Sequence, residues 1–203
     1  MKNTHFVFLF ATLLFAGSGC GDSAPATTAP SEKASASQQA QNPTPTAQIA
    51  QRMPRYTHTK YGFSIEPPLN WKVDESKPGL ALMISSDHAD EASAKFNYRA
   101  NINVQVTQLT NGSVAETAKK FVSSFGSSWN SVKVLEEGPA KVGDAEAYKV
   151  VVDLAGDDYS PRGECFVVRA DAIDGAVVCG YALDSKWAEN KDILESSLAT
   201  FKP

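Results

Sequence analysis

Residues 100–126, ANINVQVTQLTNGSVAETAKKFVSSFG, change periodicity partway along. In the first half Ile102, Val104 and Val106 stand two apart, with Leu109 following, which places them on one face of a β-strand. Ser113 and Glu116 then form the spacing of a capping box, in which each side chain satisfies a free amide of a helix's first turn. Val114, Ala118, Phe121, Val122 and Phe125 continue as an apolar stripe at helical spacing, and Gly126 supplies a stop. A strand face and a helix stripe that are each apolar on one side must bury those sides together. The class implied is α+β.

Working outward, further alternating or Val-rich runs start at Leu80 (LALMIS), Val132 (VKVLEEGPAKV), Glu146 (EAYKVVVDL), Glu164 (ECFVVRA) and Ala176 (AVVCGYAL). Gly143-Asp144 offers a two-residue hairpin turn. Asp174-Gly175 reads as the turn signal between the two runs that carry Cys165 and Cys179. If those runs pair antiparallel, the cysteines come face to face, and a bridge closing about 15 residues would stabilise by roughly 3 kcal/mol. Two buried free thiols acting as small hydrophobes are the alternative. A second helix is expected to open near Asp184 as N-cap, with Trp187, Leu194, Leu198 and Phe201 on one side.

The stretch KYGFSIEPPLNW, the strand NINVQVTQL, the run VGDAEAYKVVV and the closing SLATFKP together resemble the PsbP-like family. Tyr61, Gly62, Phe63, Pro68 and Trp71 match its opening motif of an aromatic strand, a proline and a tryptophan. The resemblance implies a central antiparallel sheet flanked by helices on both faces, an α-β-α sandwich. It also implies binding rather than catalysis, since members serve as assembly factors, stabilisers and adaptors with no shared catalytic residue. Fold analogy alone does not assign function.

The N-terminus carries an address. Phe6 to Ala16 is apolar except for Thr12, follows the single cation Lys2, and leads into Gly17, Ser18 and Gly19. That is the order of a signal peptide, and it is too short to span a bilayer as a helix. The stretch AGSGC resembles a bacterial lipobox, with Gly17 where an aliphatic residue is usual. It implies a signal peptide at residues 1–19 and a diacylated, palmitate-type lipoprotein N-terminus at Cys20. An ordinary cut near Ala24 or Ala26 is the alternative. Two acyl chains anchor stably where one would not. Gly21, rather than an aspartate, resembles the outer-membrane default and so the periplasmic face. Between residues 21 and 52, 25 of 32 positions are Ala, Ser, Thr, Pro or Gln, a composition that cannot repay chain entropy by burial. The lipidated N-terminus and tether therefore occupy residues 20–52, spanning about 30 Å as a coil. The globular domain occupies 53–203.

That domain holds 16 Lys and Arg against 21 Asp and Glu, which argues against nucleic acid as a partner. No nucleophile elbow, zinc-protease helix, Cys-x-x-Cys pair or phosphate loop is present, and the domain's histidines are His58 and His88. Asp87, His88, Asp90 and Glu91 are the densest set of potential ligands for Zn, Mn or Ca, but lack regular ligand spacing and read as a solvated turn. Asp157 and Asp158 read as a turn before a strand. His58 alternates with Tyr56 and Lys60 and reads as exposed, while Tyr98, Trp129 and Tyr159 either face a partner or close the core. The function implied is a lipid-anchored, extracytoplasmic, non-catalytic binding or assembly module with an envelope protein as partner, without metal or cofactor. A carboxylate- or metal-dependent hydrolase and a small-molecule carrier are the alternatives.

Overall fold

In the structure, a computed structural model, residues 51–89, 97–170 and 174–203 are described. The expected signal peptide, Cys20 and nearly all of the expected tether lie outside them, as do Asp90 and Glu91. Among the described residues, nine strands and two α-helices follow in order: β1 (Tyr56–Thr57), β2 (Ser64–Ile65), β3 (Lys72–Asp74), β4 (Leu82–Ser85), β5 (Asn101–Gln108), α1 (Val114–Phe125), β6 (Ser131–Val142), β7 (Ala145–Ala155), β8 (Pro161–Arg169), β9 (Asp174–Leu183) and α2 (Trp187–Leu198). All six expected runs are strands. Near the entry motif, where the resemblance implies an aromatic strand, the strands β1 to β3 span only two or three residues each, too few to carry a period.

Strands β3 to β9 make one sheet in the order β3-β4-β5-β9-β8-β7-β6, antiparallel throughout. It consists of two meanders, β3-β4-β5 and β6-β7-β8-β9, joined where the last strand pairs with β5. The Gly143-Asp144 turn joins β6 to β7 as expected, with Gly143 at φ +58°, a conformation open to glycine at no steric cost.

Alternation along the strands divides the core in two. On one face Ile102, Val104, Ala176, Val178 and Ala182 meet Trp187, Leu194 and Leu198 of α2, with Phe63, Ile65 and Phe201 completing the cluster. On the other, Val150, Val152, Cys165, Val167 and Val177 meet Val114 and Ala118 of α1. The helices lie on opposite faces, so the fold is the expected α-β-α sandwich. They do not lie opposite each other along the sheet: α1 covers β6, β7 and β8, while α2 covers β9 and β5. Gly180 brings α2 close, for a Cβ there would sit 3.2 Å from Leu194 and Leu198.

Several local expectations are corrected. Asp174 and Gly175 belong to β9, with Gly175 opposite Arg169, and are not a turn; a Cβ at Gly175 would lie 2.5 Å from the Leu109 side chain. Asp184 does not cap α2. It opens a 3-10 turn whose helix begins at Trp187, and its carboxylate lies 2.7 Å from Arg162. The capping box of α1 is half formed: Ser113 Oγ accepts from the Glu116 amide, but the Ser113 amide donates to Thr110 O. Gln51 and Arg52, assigned to the tether, are bonded to the domain through Gln51 O with the Leu69 amide and an Arg52–Glu66 ion pair at 3.1 Å.

Candidate functional site

The offset of the two helices leaves part of the sheet open. Beside α2, the same-side residues of β6, β7 and β8 are Glu136, Lys149, Val151, Arg162 and Glu164, the last three residues being directly opposed or diagonal neighbours. With Leu135, and with Trp187, Lys191 and Glu195 from α2, they line an open cleft of about 190 Å³. β8 and β7 place the polar groups on the cleft floor, and Trp187, Lys191 and Glu195, about one turn apart along α2, make its wall.

Glu164 sits at the bottom, 4 % exposed. Its Oε2 lies 3.6 Å from Lys149 Nζ, which also reaches Glu136 Oε1 at 3.4 Å. Burial holds the Glu164 carboxyl above the usual range, the Lys149 charge opposes this, and the Glu195 carboxylate adds to it. Arg162 forks between Asp153, at 2.6 Å from Nε, and Asp184, at 2.7 Å from Nη2. The cleft is thus a lattice of paired charges fixed on strand backbone, with apolar Leu135 at its rim, exposed by 41 %. Such a surface can orient a partner by charge pattern.

Of these, the sequence pointed to Trp187 and Asp184, as a core residue and a helix cap, and to none as a site residue. One signal was available: Glu164 shares the parity of Phe166 and Val168 in β8, so an acid occupies a position where the strand packs apolar groups.

The expected candidates fare differently. Cys165 and Cys179 are directly paired across β8 and β9, with Cα atoms 4.0 Å apart and sulfurs at disulfide distance, 2.16 Å. His88 is exposed, with Nε2 3.5 Å from Asp87 Oδ1, while Arg99 donates to the carbonyls of Ser86 and Asp87. Asp157 accepts from Asn130 Nδ2 in the turn before β8, where a turn was expected. Tyr98, Trp129 and Tyr159 gather, with ring centroids 5.1 Å apart for the tyrosines and 5.6 Å for Trp129 and Tyr159. Trp129 packs partly into the α1-side core, as the core-closing reading expects, and Tyr159 stays at the surface.

His58 is a correction. It is 5 % exposed, its Nδ1 accepts from the amides of Lys60 and Tyr61, and its ring lies between those of Tyr61 and Phe63. It closes the turn that carries the Tyr61-Gly62-Phe63 motif.

Neither a protein-family model nor a curated protein matches the chain. Solved structures do. The cyanobacterial PsbP (CyanoP) of Synechocystis sp. PCC 6803 is 12 % identical over 77 % of this chain and 95 % of its own, with a TM-score of 0.56. LpqN, involved in cell envelope biogenesis of Mycobacterium tuberculosis, is 13 % identical over 75 % and 91 %, with a TM-score of 0.55. A Pseudomonas aeruginosa protein of unknown function, PA94, a putative regulator, is 8 % identical over 75 % and 98 %, with a TM-score of 0.51. The likeness is one of fold, and it is the PsbP-like fold that the sequence motifs implied.

Proposed function

We propose that the chain is a lipid-anchored, extracytoplasmic module of a cell envelope that binds or assembles with another envelope protein and catalyses no reaction. The observation that carries this is the open half-sheet beside α2, where Lys149, Arg162, Glu164 and Glu195 hold a fixed pattern of charges. Charge patterns of this kind set the orientation and choice of a protein partner more than raw affinity. The cleft is smaller and more polar than the apolar pockets of about 300–1,000 Å³ that hold small molecules, which disfavours the carrier. Membrane attachment rests on Cys20 and the spacer after it. The envelope setting is supported, at the level of fold, by LpqN.

The test is capture of the full chain from gently crosslinked membranes, with mass spectrometry of what it carries. Native protein is expected in the membrane fraction with a reproducible partner, Cys20→Ser in the soluble fraction, and Lys149→Glu membrane-bound with the partner reduced at least about tenfold. Equal recovery by native protein and Lys149→Glu would count against docking at the cleft.

A second reading, a carboxylate-dependent hydrolase, draws on one observation: burial and the neighbouring Glu195 carboxylate shift the Glu164 carboxyl upward, the direction a general acid needs. It predicts hydrolysis of an ester or glycoside probe by the native chain, lost in Glu164→Gln while partner capture persists.

A further inference from the structure

β6 is the outermost strand of the sheet and, at twelve residues, its longest. An edge strand offers unpaired backbone groups to another chain, and natural proteins blunt such edges with charges, prolines and bulges. β6 has all three, yet Val134 and Leu135 lie side by side at 40 % and 41 % exposure. They are two of the five large hydrophobic residues exposed among the described residues.

The bulge arranges the charges around this pair. The register of β6 against β7 shifts between Val134 and Glu136, so that Lys133 stands opposite Asp153 and Glu136 opposite Val151. Asp153 and Val151 are two apart on β7 and share a face. Lys133 and Glu136 therefore share that face as well, although three positions separate them; in a regular strand they would point to opposite sides. Lys133 is exposed, and Glu136 keeps most of its surface in solvent beside Lys149.

This pattern is its own complement. When a second β6 runs antiparallel about a two-fold axis through the Val134-Leu135 bulge, Lys133 of each chain faces Glu136 of the other on one side of the sheet. The ion pair forms twice, and at the axis Leu135 of each chain meets its counterpart on the α2 side of the sheet while Val134 meets its counterpart on the α1 side. A slip of two residues in either direction loses both ion pairs.

We propose that two copies of this chain pair edge to edge through β6, joining their sheets into one antiparallel sheet centred on Val134 and Leu135. The surface is isologous, as two-fold dimers require. The pairing does not depend on docking at the cleft, and it is read on the purified chain with no partner present.

The test uses full-length chain in detergent. Leu135→Cys places a thiol at the axis, and oxidation is expected to give a covalent dimer; Lys72→Cys, on β3 at the opposite edge, is expected to give none. In sedimentation measurements Lys133→Glu or Glu136→Lys alone should weaken the dimer at least about tenfold, since like charges replace two opposed pairs. The double reversal Lys133→Glu/Glu136→Lys should restore it to within about threefold. All four positions are exposed, and unchanged circular dichroism identifies variants that remain folded. A chain that stays monomeric to roughly 100 µM, crosslinks equally from residue 72, or is not rescued by the double reversal would overturn the proposal.

Discussion

Glu164 is an acid at a position where β8 otherwise packs Phe166 and Val168, and its cost can be read from pH. Burial raises the carboxyl above its ordinary value of 4.5, so the folded state favours the protonated form. The resulting stabilisation is fully present below the unfolded value and is lost as pH rises through the folded one. Glu164→Gln keeps the shape and removes the titration. Its midpoint in denaturant should therefore equal the native one near pH 4 and exceed it at pH 7, with the gap opening above 4.5. Parallel profiles across that range would refute the assignment. His58 illustrates the reverse difficulty: its near neighbours alternate as in an exposed strand. What buries it is the turn it closes and the ring of Phe63, contacts that local periodicity does not encode. Gly163 was equally silent. A Cβ there would lie 2.4 Å from the Tyr181 ring, its directly opposed partner, so Gly163→Ala should lower stability by about 1–3 kcal/mol in chemical denaturation.

At the scale of elements, the helices and long strands were legible because each repeats its period several times. α1 runs from Val114 to Phe125 with Ser113 as its N-cap, as its sequence implies. The ends of elements were less legible, since they are decided by competition with distant groups. Asp184 has the chemistry of an N-cap but pairs with Arg162 from β8, and Gly175 serves the close approach of Leu109 instead of a turn. The β8–β9 ladder makes a sharper claim about its cysteines. Unfolded mature protein, unreduced, should present no reactive thiol, and two after reduction, if Cys20 is acylated and Cys165 is bonded to Cys179. Cys165→Ala/Cys179→Ala should then cost roughly 3 kcal/mol in denaturant unfolding. Two reactive thiols without reduction would place both cysteines among the buried small hydrophobes instead.

At the scale of the whole molecule, the sandwich followed from amphipathic elements that must cover one sheet, together with motifs similar to a known fold. The candidate site did not follow, because it exists only where two helices on opposite faces cover different strands, and sequence periodicity says that a helix packs without saying where. Lys149, Glu164 and Glu195, distant in the chain, become neighbours through that offset. The central claim is that this open half-sheet is where an envelope partner docks. It is tested most directly by photo-crosslinking in intact cells from a probe replacing Lys191, on the cleft wall, against the same probe replacing Lys119 on α1. A discrete protein adduct from residue 191, absent from residue 119, is the predicted result; adducts equal at both positions, or none at 191, would contradict it.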